Sequence, residues 1–236
     1  MPAHIIPKVG NPVFFLTMTT AINHYAHLSR FHVAVDCIIF SVIADKLNVL
    51  LVKRNFEPEM GKWSLIGGFV NEDESVDLAA KRVLRHLTGL DNVFIRQLGA
   101  FGEPYRDPGA RVVSVAYFAL LNIAEVDAEA IRQHDARWTP VDSLPPLGFD
   151  HSEMIGRALD VIRRKIITGS LAFNLLPEYF TLTQLQSLVE SVTGKELDKR
   201  NFRKSISVNP DIELTGLIDK SSSKRGARLY RYIQNN

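Results

Sequence analysis

The sequence predicts two domains of different construction, a mixed α/β domain followed by a small domain of helices and a β-hairpin. Apolar strand patterns at His32–Ile43 and Leu47–Arg54 precede a helical pattern at Ser75–Thr88, which indicates strands and helices within one domain. Further along the chain the pattern changes to two short helices and a hairpin with a basic tip. We therefore predict an N-terminal extension, an α/β domain and a C-terminal domain, at residues 1–29, 30–168 and 169–236.

The remaining elements of the α/β domain follow from turn residues and apolar spacing. Asp73 or Ser75 is expected to cap the helix at Ser75–Thr88, and Gly89 to end it. Apolar residues at helical spacing predict a further helix that closes the domain. The predicted elements besides those above are strands at Trp63–Val70, Asn92–Phe101 and Arg111–Leu121, and a helix at His151–Ile167.

Composition indicates a folded cytoplasmic protein. Of the 236 residues, 46% are hydrophobic and 23% are charged, which is typical of a globular chain. The single cysteine, Cys37, lies in an apolar run and has no partner for an internal disulfide, which fits a reducing compartment and a packing role. The apolar run Pro12–Met18 is too short for a secretory signal, and no stretch is long enough to span a bilayer.

The C-terminal domain has the element order of a winged helix-turn-helix. An amphipathic helix at Thr183–Val192 is followed by a second helix at Lys199–Ser205 and by strands at Ile212–Ile218 and Leu229–Ile233. The net charge of the chain is only +2, yet residues 195–231 hold ten basic and five acidic side chains. A basic patch on this framework predicts binding to double-stranded DNA.

The predicted DNA contacts lie on the second helix and at the hairpin tip. Asparagine and arginine read adenine and guanine edges, and lysine and arginine bind phosphates. Phe202 and Ile206 are spaced to hold the opposite face of the helix against the domain. The alternative is a solvated basic face on a dimerisation domain. The predicted contact residues are Lys199, Arg200, Asn201, Arg203 and Lys204 on the helix, and Lys224, Arg225 and Arg228 on the wing.

The segment Gly68–Leu90 resembles the Nudix box in the spacing of its glycine, charged and aliphatic residues. The upstream segment Gly61–Val70 also resembles the strands that enter the box. The resemblance implies an α/β/α sandwich for roughly residues 31–168. The matching positions are Gly68, Glu74, Arg82, Leu84, Gly89 and Leu90.

The metal-binding glutamates of the Nudix box are missing from this sequence. In Nudix hydrolases three glutamates of the box helix hold divalent metals, and Val83, His86 and Leu87 occupy those positions here, on one helix face. Mg²⁺ and Mn²⁺ prefer oxygen ligands, which valine and leucine do not supply. Without metal there is no activated water for attack on a pyrophosphate. We therefore predict that the protein is not an enzyme and has no catalytic residues, no metal and no cofactor.

Two other functions remain open at this point. The first is a Nudix hydrolase acting on ADP-ribose or a related nucleotide, with a metal held by Glu72, Glu74 and His86. The second is an adaptor that binds a nucleotide but has no affinity for DNA.

With both domains considered, the chain resembles the Nudix-related transcriptional regulators of the NrtR family, and especially their arabinose-responsive AraR-like branch. The stretches that carry this resemblance are Asn55–Trp63, Phe173–Pro177, Asp198–Lys204 and Ser223–Tyr230. The resemblance implies a homodimeric repressor of sugar-utilisation genes on a palindromic operator, controlled by a small effector in the Nudix-like pocket. The implied effector is a pentose, L-arabinose, in the AraR-like branch, and ADP-ribose in NrtR proper.

Candidate effector-binding residues are the polar and aromatic side chains expected around the Nudix-like pocket. A sugar requires several hydrogen-bonding groups and is often held against an aromatic face. Each candidate also has a structural explanation: Trp63 as core, Arg106 and Arg111 as solvated loop charges, and His151 as the start of a helix. The candidates are Arg54, Glu57, Trp63, Arg106, Arg111 and His151.

Overall fold

The computed structural model of the protein describes residues 27–89, 93–126, 128–166, 170–220 and 226–233. Within them, seven strands form one mixed sheet in the order β3-β2-β1-β6-β5, with β4 also paired to β1 and β7 to β2. β1 runs parallel to β6, and the other pairs are antiparallel. The strands are β1 (His32–Ile43), β2 (Lys46–Lys53), β3 (Trp63–Ser64), β4 (Ile66–Phe69), β5 (Phe94–Phe101), β6 (Val112–Leu120) and β7 (Ala136–Pro140).

The central strand β1 divides its side chains between two cores because successive residues of a strand face opposite sides of a sheet. Ile38 and Phe40 pack in one cluster with the helix α3, whereas Val35, Cys37 and Ile39 pack in another with α1. The predicted α/β/α sandwich is therefore confirmed. The helices of this part of the chain are α1 (Val76–Thr88), α2 (Ala128–Gln133) and α3 (His151–Lys165).

Helix α1 begins and ends where the sequence predicted. The Ser75 side chain accepts a hydrogen bond from the Leu78 amide at 3.2 Å, so Ser75 rather than Asp73 caps the helix. Gly89 ends it in the left-handed conformation, at φ 71°, which glycine adopts without a steric penalty. Beneath this helix, Cys37 is fully buried and donates to the Ala80 carbonyl at 3.7 Å. Burial raises the pKa of Cys37 to about 12, consistent with a packing role.

The C-terminal part consists of a helical pair and a three-stranded sheet in the order β8-β10-β9. Thr181 and Gln184 form a reciprocal capping box at the start of α4, and Gly194 ends that helix. Strand β8 was not predicted, and neither were α2 and the 3₁₀ segment Ser170–Leu175. The elements are β8 (Tyr179–Phe180), α4 (Leu182–Thr193), α5 (Lys199–Ser207), β9 (Ile212–Asp219) and β10 (Ala227–Tyr232). No helix among the described residues is long and apolar enough to cross a membrane.

One hydrophobic core is shared between the α/β part and the C-terminal part. It contains Leu51 of β2, Ile162 of α3, Phe180 of β8 and Leu188 of α4, each at most 2% exposed. The Arg163 Nε also donates to the Val192 carbonyl at 3.2 Å, which joins the end of α3 to the end of α4. The domain boundary predicted at residues 168–169 lies outside the described residues. Because the core is continuous, α3 and α4 are in contact where the two parts of the chain meet.

We predict that Ile162→Ala lowers the free energy of unfolding by about 3 kcal/mol, because the fully buried side chain leaves a cavity in the shared core. Both tryptophans, Trp63 and Trp138, lie in the α/β part, so urea unfolding followed by fluorescence and by helical circular dichroism compares the two parts. The two probes are expected to give one coincident transition. The exposed Arg164→Ala on the same helix is the control, with a change within about 0.5 kcal/mol. Separate transitions would show that the parts fold independently.

Candidate effector site and nucleic-acid interface

A polar cavity of about 260 Å³ opens at the edge of the sheet where α3 begins. β1, the loop after β2, the β3–β4 segment and the start of α3 each contribute to its wall. Its lining combines carboxylates, guanidinium groups, an imidazole and aromatic rings, which suits a ligand with hydroxyl or anionic groups. The residues are Ala34, Asp36, Arg54, Phe56, Glu57, Pro58, Ser64, Leu65, Gly67, Gly68, Phe69, Arg106, Asp107, Val112, Phe149 and His151.

A buried ion cluster forms the inner wall of the polar cavity. Arg106 donates two hydrogen bonds to the Asp150 carboxylate, at 2.8 and 2.6 Å, and its Nη2 lies 3.5 Å from Asp36 Oδ2. Ser114 Oγ donates to the same Asp36 oxygen at 2.6 Å. The Arg106 side chain is only 4% exposed, so its charge depends on these carboxylates for compensation.

The pKa shifts of Asp36 and Arg106 both favour the charged form of the side chain. Burial alone raises the pKa of Asp36, but the hydrogen bonds from His151 and Ser114 and the charge of Arg106 outweigh burial and bring the pKa below its usual range. Burial likewise opposes the charge of Arg106, and the Asp150 hydrogen bonds more than restore it, so the Arg106 pKa is raised. Both groups are therefore ionised at neutral pH.

His151 is oriented by the backbone of the sheet. Its Nδ1 accepts a hydrogen bond from the Leu65 amide at 3.0 Å and lies 3.3 Å from Ser64 Oγ. An acceptor nitrogen carries no proton, so we assign the proton to Nε2, which lies 3.5 Å from Asp36 Oδ1. His151 therefore both begins α3 and faces the buried carboxylate.

The outer wall of the polar cavity is built from an arginine between two aromatic rings. The Arg54 guanidinium lies 4.4 Å from the Phe56 ring centroid and 4.8 Å from that of Phe149, and its Nε donates to the Pro58 carbonyl. Phe56 is 60% exposed, so one face of this stack is open to a ligand. A planar base or a sugar face can pack against such a surface.

Four of the six predicted effector residues line the polar cavity: Arg54, Glu57, Arg106 and His151. Trp63 and Arg111 do not line it. The Trp63 ring packs under the Arg137 guanidinium at 3.9 Å, and Arg111 donates to the Gly102, Glu103 and Val112 carbonyls, so both have structural roles. Asp36 and Asp150 were not among the predicted residues. Of these two residues, only Asp36 could have been recognised from the sequence, because it is a charged residue within an apolar strand.

A second cavity of about 600 Å³, here called the box cavity, shares the Gly67–Gly68 segment with the polar cavity. Val83, His86 and Leu87, the positions of the family's metal-binding glutamates, all line it. Val83 and Leu87 are buried and belong to the α1 core, so the face that would bind metal is apolar. The described residues contain no group of three histidine, cysteine or carboxylate side chains that could hold a metal ion.

Glu74, which the hydrolase alternative assigned to a metal, has a structural role instead. Its carboxylate accepts from the Asn71 amide at 2.9 Å and from Arg82 at 3.0 and 2.5 Å. Arg82 also donates to the Phe69 carbonyl at 3.0 Å. The pair ties the loop to α1, and the hydrogen bonds from Arg82 lower the pKa of Glu74. A Glu72, Glu74 and His86 metal site is therefore not assembled.

Helix α5 presents an exposed basic face. Asp198 caps its start by accepting from the Asn201 amide at 2.8 Å, while Phe202 and Ile206 pack against the shared core. The opposite face therefore points away from the protein. No ion pair among the described residues involves its cations, so they are available for phosphate contacts. The exposed residues are Lys199, Arg200, Asn201, Arg203 and Lys204.

The β9–β10 hairpin has the position of a wing beside α5. Arg228 is exposed on β10, as predicted. Gly226, at φ 73°, precedes this strand, and a side chain there would meet Ile218 at 2.2 Å. The other predicted wing contacts, Lys224 and Arg225, lie outside the described residues.

Both parts of the chain match known domain families. Residues 30–157 match the NUDIX domain model and residues 172–232 that of the NrtR DNA-binding winged helix domain. The chain is 33% identical over 202 residues to the ADPR responsive transcriptional repressor NtrR of Acinetobacter baylyi, covering 84% of this chain and 80% of that protein.

Two solved structures from Shewanella oneidensis are similar to this chain. NrtR complexed with a 27mer DNA matches with a TM-score of 0.76 at 31% identity, over 85% of this chain and 93% of that one. The NUDIX domain of NrtR complexed with ADP ribose matches with a TM-score of 0.51 at 30% identity, over 61% of this chain and 97% of that one.

The fold and these matches define a Nudix domain joined to a DNA-binding winged helix. The chain belongs to the NrtR family of transcriptional regulators. The relatives do not support the predicted arabinose-responsive branch within that family.

We predict that Arg106→Gln lowers the free energy of unfolding at pH 7 by about 3 kcal/mol, because the buried Asp36 and the partly buried Asp150 lose their cation. The lowered pKa of Asp36 means that its contribution is complete above pH about 4 and is lost as the pH falls through the folded-state pKa. The difference in the free energy of unfolding between the variant and the native protein should therefore become smaller as the pH falls below about 4.

Urea unfolding across this pH range provides the measurement. Arg132→Gln is the matched control, because Arg132 forms an exposed pair with Glu129 that is worth less than about 1 kcal/mol. A loss of unfolding free energy in Arg106→Gln that is as small as the loss in the control would contradict this role of the cluster. A loss that does not change with pH would contradict it as well.

Proposed function

We propose that the protein is a cytoplasmic transcriptional repressor that binds a palindromic operator as a homodimer and responds to ADP-ribose. One observation carries the proposal: a single hydrophobic core joins the part of the chain that holds the polar cavity to a helix with an exposed basic face. The ADPR responsive repressor from A. baylyi supports the effector, and the two S. oneidensis complexes support the DNA and the ligand.

The extent of the two cavities favours ADP-ribose over a free pentose. The polar cavity and the box cavity share Arg54, Phe56, Leu65, Gly67 and Gly68, so their linings are continuous. A molecule with a sugar at one end, two phosphates and an aromatic base can contact both, whereas a monosaccharide reaches only one. L-arabinose, the effector implied by the sequence resemblance, has no support among the relatives.

The buried ion cluster provides a route from effector to DNA. Asp150 stands at the start of α3, yet it makes no side-chain cap to that helix because its carboxylate is bound to Arg106. An effector that contacts Arg106 or His151 changes the balance of charges at the start of α3. Since the other end of α3 is packed against α4, the displacement alters how α5 is presented to DNA. The effector can act only through a difference in its affinity for the two arrangements.

The helix α5 is proposed to enter the major groove. Its exposed Arg203 and Asn201 are suited to base edges, and its lysines to phosphates. In a homodimer with two-fold symmetry the two copies would reach successive major grooves, which requires an operator with half-sites about one helical turn apart. Arg228 of the wing is proposed to contact the backbone beside them.

A DNA titration with the protein's own upstream region tests the proposal. We expect specific binding that ADP-ribose relieves and that L-arabinose and xylose leave unchanged. Arg203→Ala should weaken binding about tenfold or more, since a base or phosphate contact is worth about 1–3 kcal/mol. Lys81→Ala, an exposed cation on α1, is the matched control.

Two results would contradict this proposal. Binding that is equally strong to unrelated DNA would remove the repressor function. If L-arabinose and not ADP-ribose weakened DNA binding, the protein would still be a repressor but its effector would be L-arabinose. Sedimentation of the complex gives the number of protein copies per operator, for which we expect two.

A further inference from the structure

The box cavity has the opposite charge from the metal site of a hydrolase. Its lining contains the cations Lys53, Arg54 and Arg82 and the imidazoles of His86 and His134, against one carboxylate, Asp135. A hydrolase of this fold would instead present three glutamates on α1. The cavity is therefore suited to an anion, and a divalent cation would be repelled from it.

The apolar floor of the box cavity leaves no place for a metal. Val83 and Leu87 are 7% and 2% exposed and are packed into the core beneath α1. A side chain at Gly68 would meet Val83 at 3.0 Å, so the valine fills the space beside the β4 backbone. The residues present do not fit the divalent metals of the wider fold family.

The lining of the box cavity also contains cations and two imidazole rings. The charge of Arg82 is balanced by Glu74, so the positive charge that exceeds that of Asp135 comes from Lys53 and Arg54. The rings of His86 and His134 meet edge to face, with centroids 4.7 Å apart. An imidazole retains at least one N–H donor in either protonation state, and therefore both rings can donate to an oxyanion.

We propose that the box cavity binds the phosphate groups of the effector directly, without a divalent metal, through Lys53, Arg54, His86 and His134. Charge-assisted hydrogen bonds from arginine and lysine to phosphate are among the strongest in proteins, and here they replace the bridging metal. Because no metal activates a water, a bound diphosphate stays intact. The identity of the full effector rests on the proposed function, but the anion site does not.

Calorimetric titration of the full chain with inorganic pyrophosphate and with ADP-ribose tests the site. We expect the dissociation constants in EDTA and in Mg²⁺ to agree within about twofold. Binding that is lost in EDTA and restored by Mg²⁺ would overturn the proposal.

Paired variants test the residues. The double variant Lys53→Gln and His86→Gln changes two exposed side chains. It should weaken the binding of pyrophosphate and of ADP-ribose about tenfold or more, because hydrogen bonds to charged groups are removed. Lys46→Gln, at the other end of β2 and outside the cavity, is the control and should bind as the native chain does. Native affinity in the double variant would overturn the assignment. Unchanged thermal melting confirms that the variants are folded.

The outcomes separate this site from the proposed function. Metal-independent binding of pyrophosphate, with no effect of ADP-ribose on DNA affinity, would keep the anion site and remove ADP-ribose as effector. Relief of DNA binding by ADP-ribose only when Mg²⁺ is present would keep the proposed function and remove the metal-free site.

Discussion

The structure depends on how the charge of Arg106 is compensated inside the protein. Its guanidinium joins Asp150, at the start of α3, to Asp36, in the central strand, and it does so with a side chain that is only 4% exposed. An unpaired charge at this depth is costly, so the three groups fix one another in position. The cluster thereby fixes both the wall of the polar cavity and the position of α3 on the sheet.

Direct contacts between β2 and α4 connect the two parts of the described chain, and so does α3. The helix begins on charged groups that a ligand can reach, and it continues as an apolar face in a core shared with α4 and β8. Tightly packed cores transmit small shifts because they deform little. The degenerate Nudix box fits this arrangement. Valine and leucine give the box cavity apolar side chains at two positions where a hydrolase has carboxylates, and the proposed anion site depends on this difference.

Local sequence patterns predicted most of the fold. They did not predict contacts between residues that are distant in sequence. The two-residue period of β1 and the helical period of α1 were sufficient for the sandwich, whereas β8 exists only because Phe180 pairs with Tyr230. The site follows the same division. Arg54 and His151, which were predicted from their place near the box, line the polar cavity. The partners of Arg106 lie 70 and 44 residues away, at Asp36 and Asp150. Sequence alone gives no signal for such pairings.

The central claim is that ligand occupancy reaches the DNA-binding helices through α3. Amide hydrogen exchange of the DNA-free protein, with and without ADP-ribose, tests it most directly because exchange reports local opening along the chain. The account predicts changed protection at His151–Lys165 and also at Leu182–Ser207, a segment that lines neither the polar cavity nor the box cavity. Changes confined to the strands and loops around the two cavities, with both of those segments unaltered by bound ligand, would contradict it.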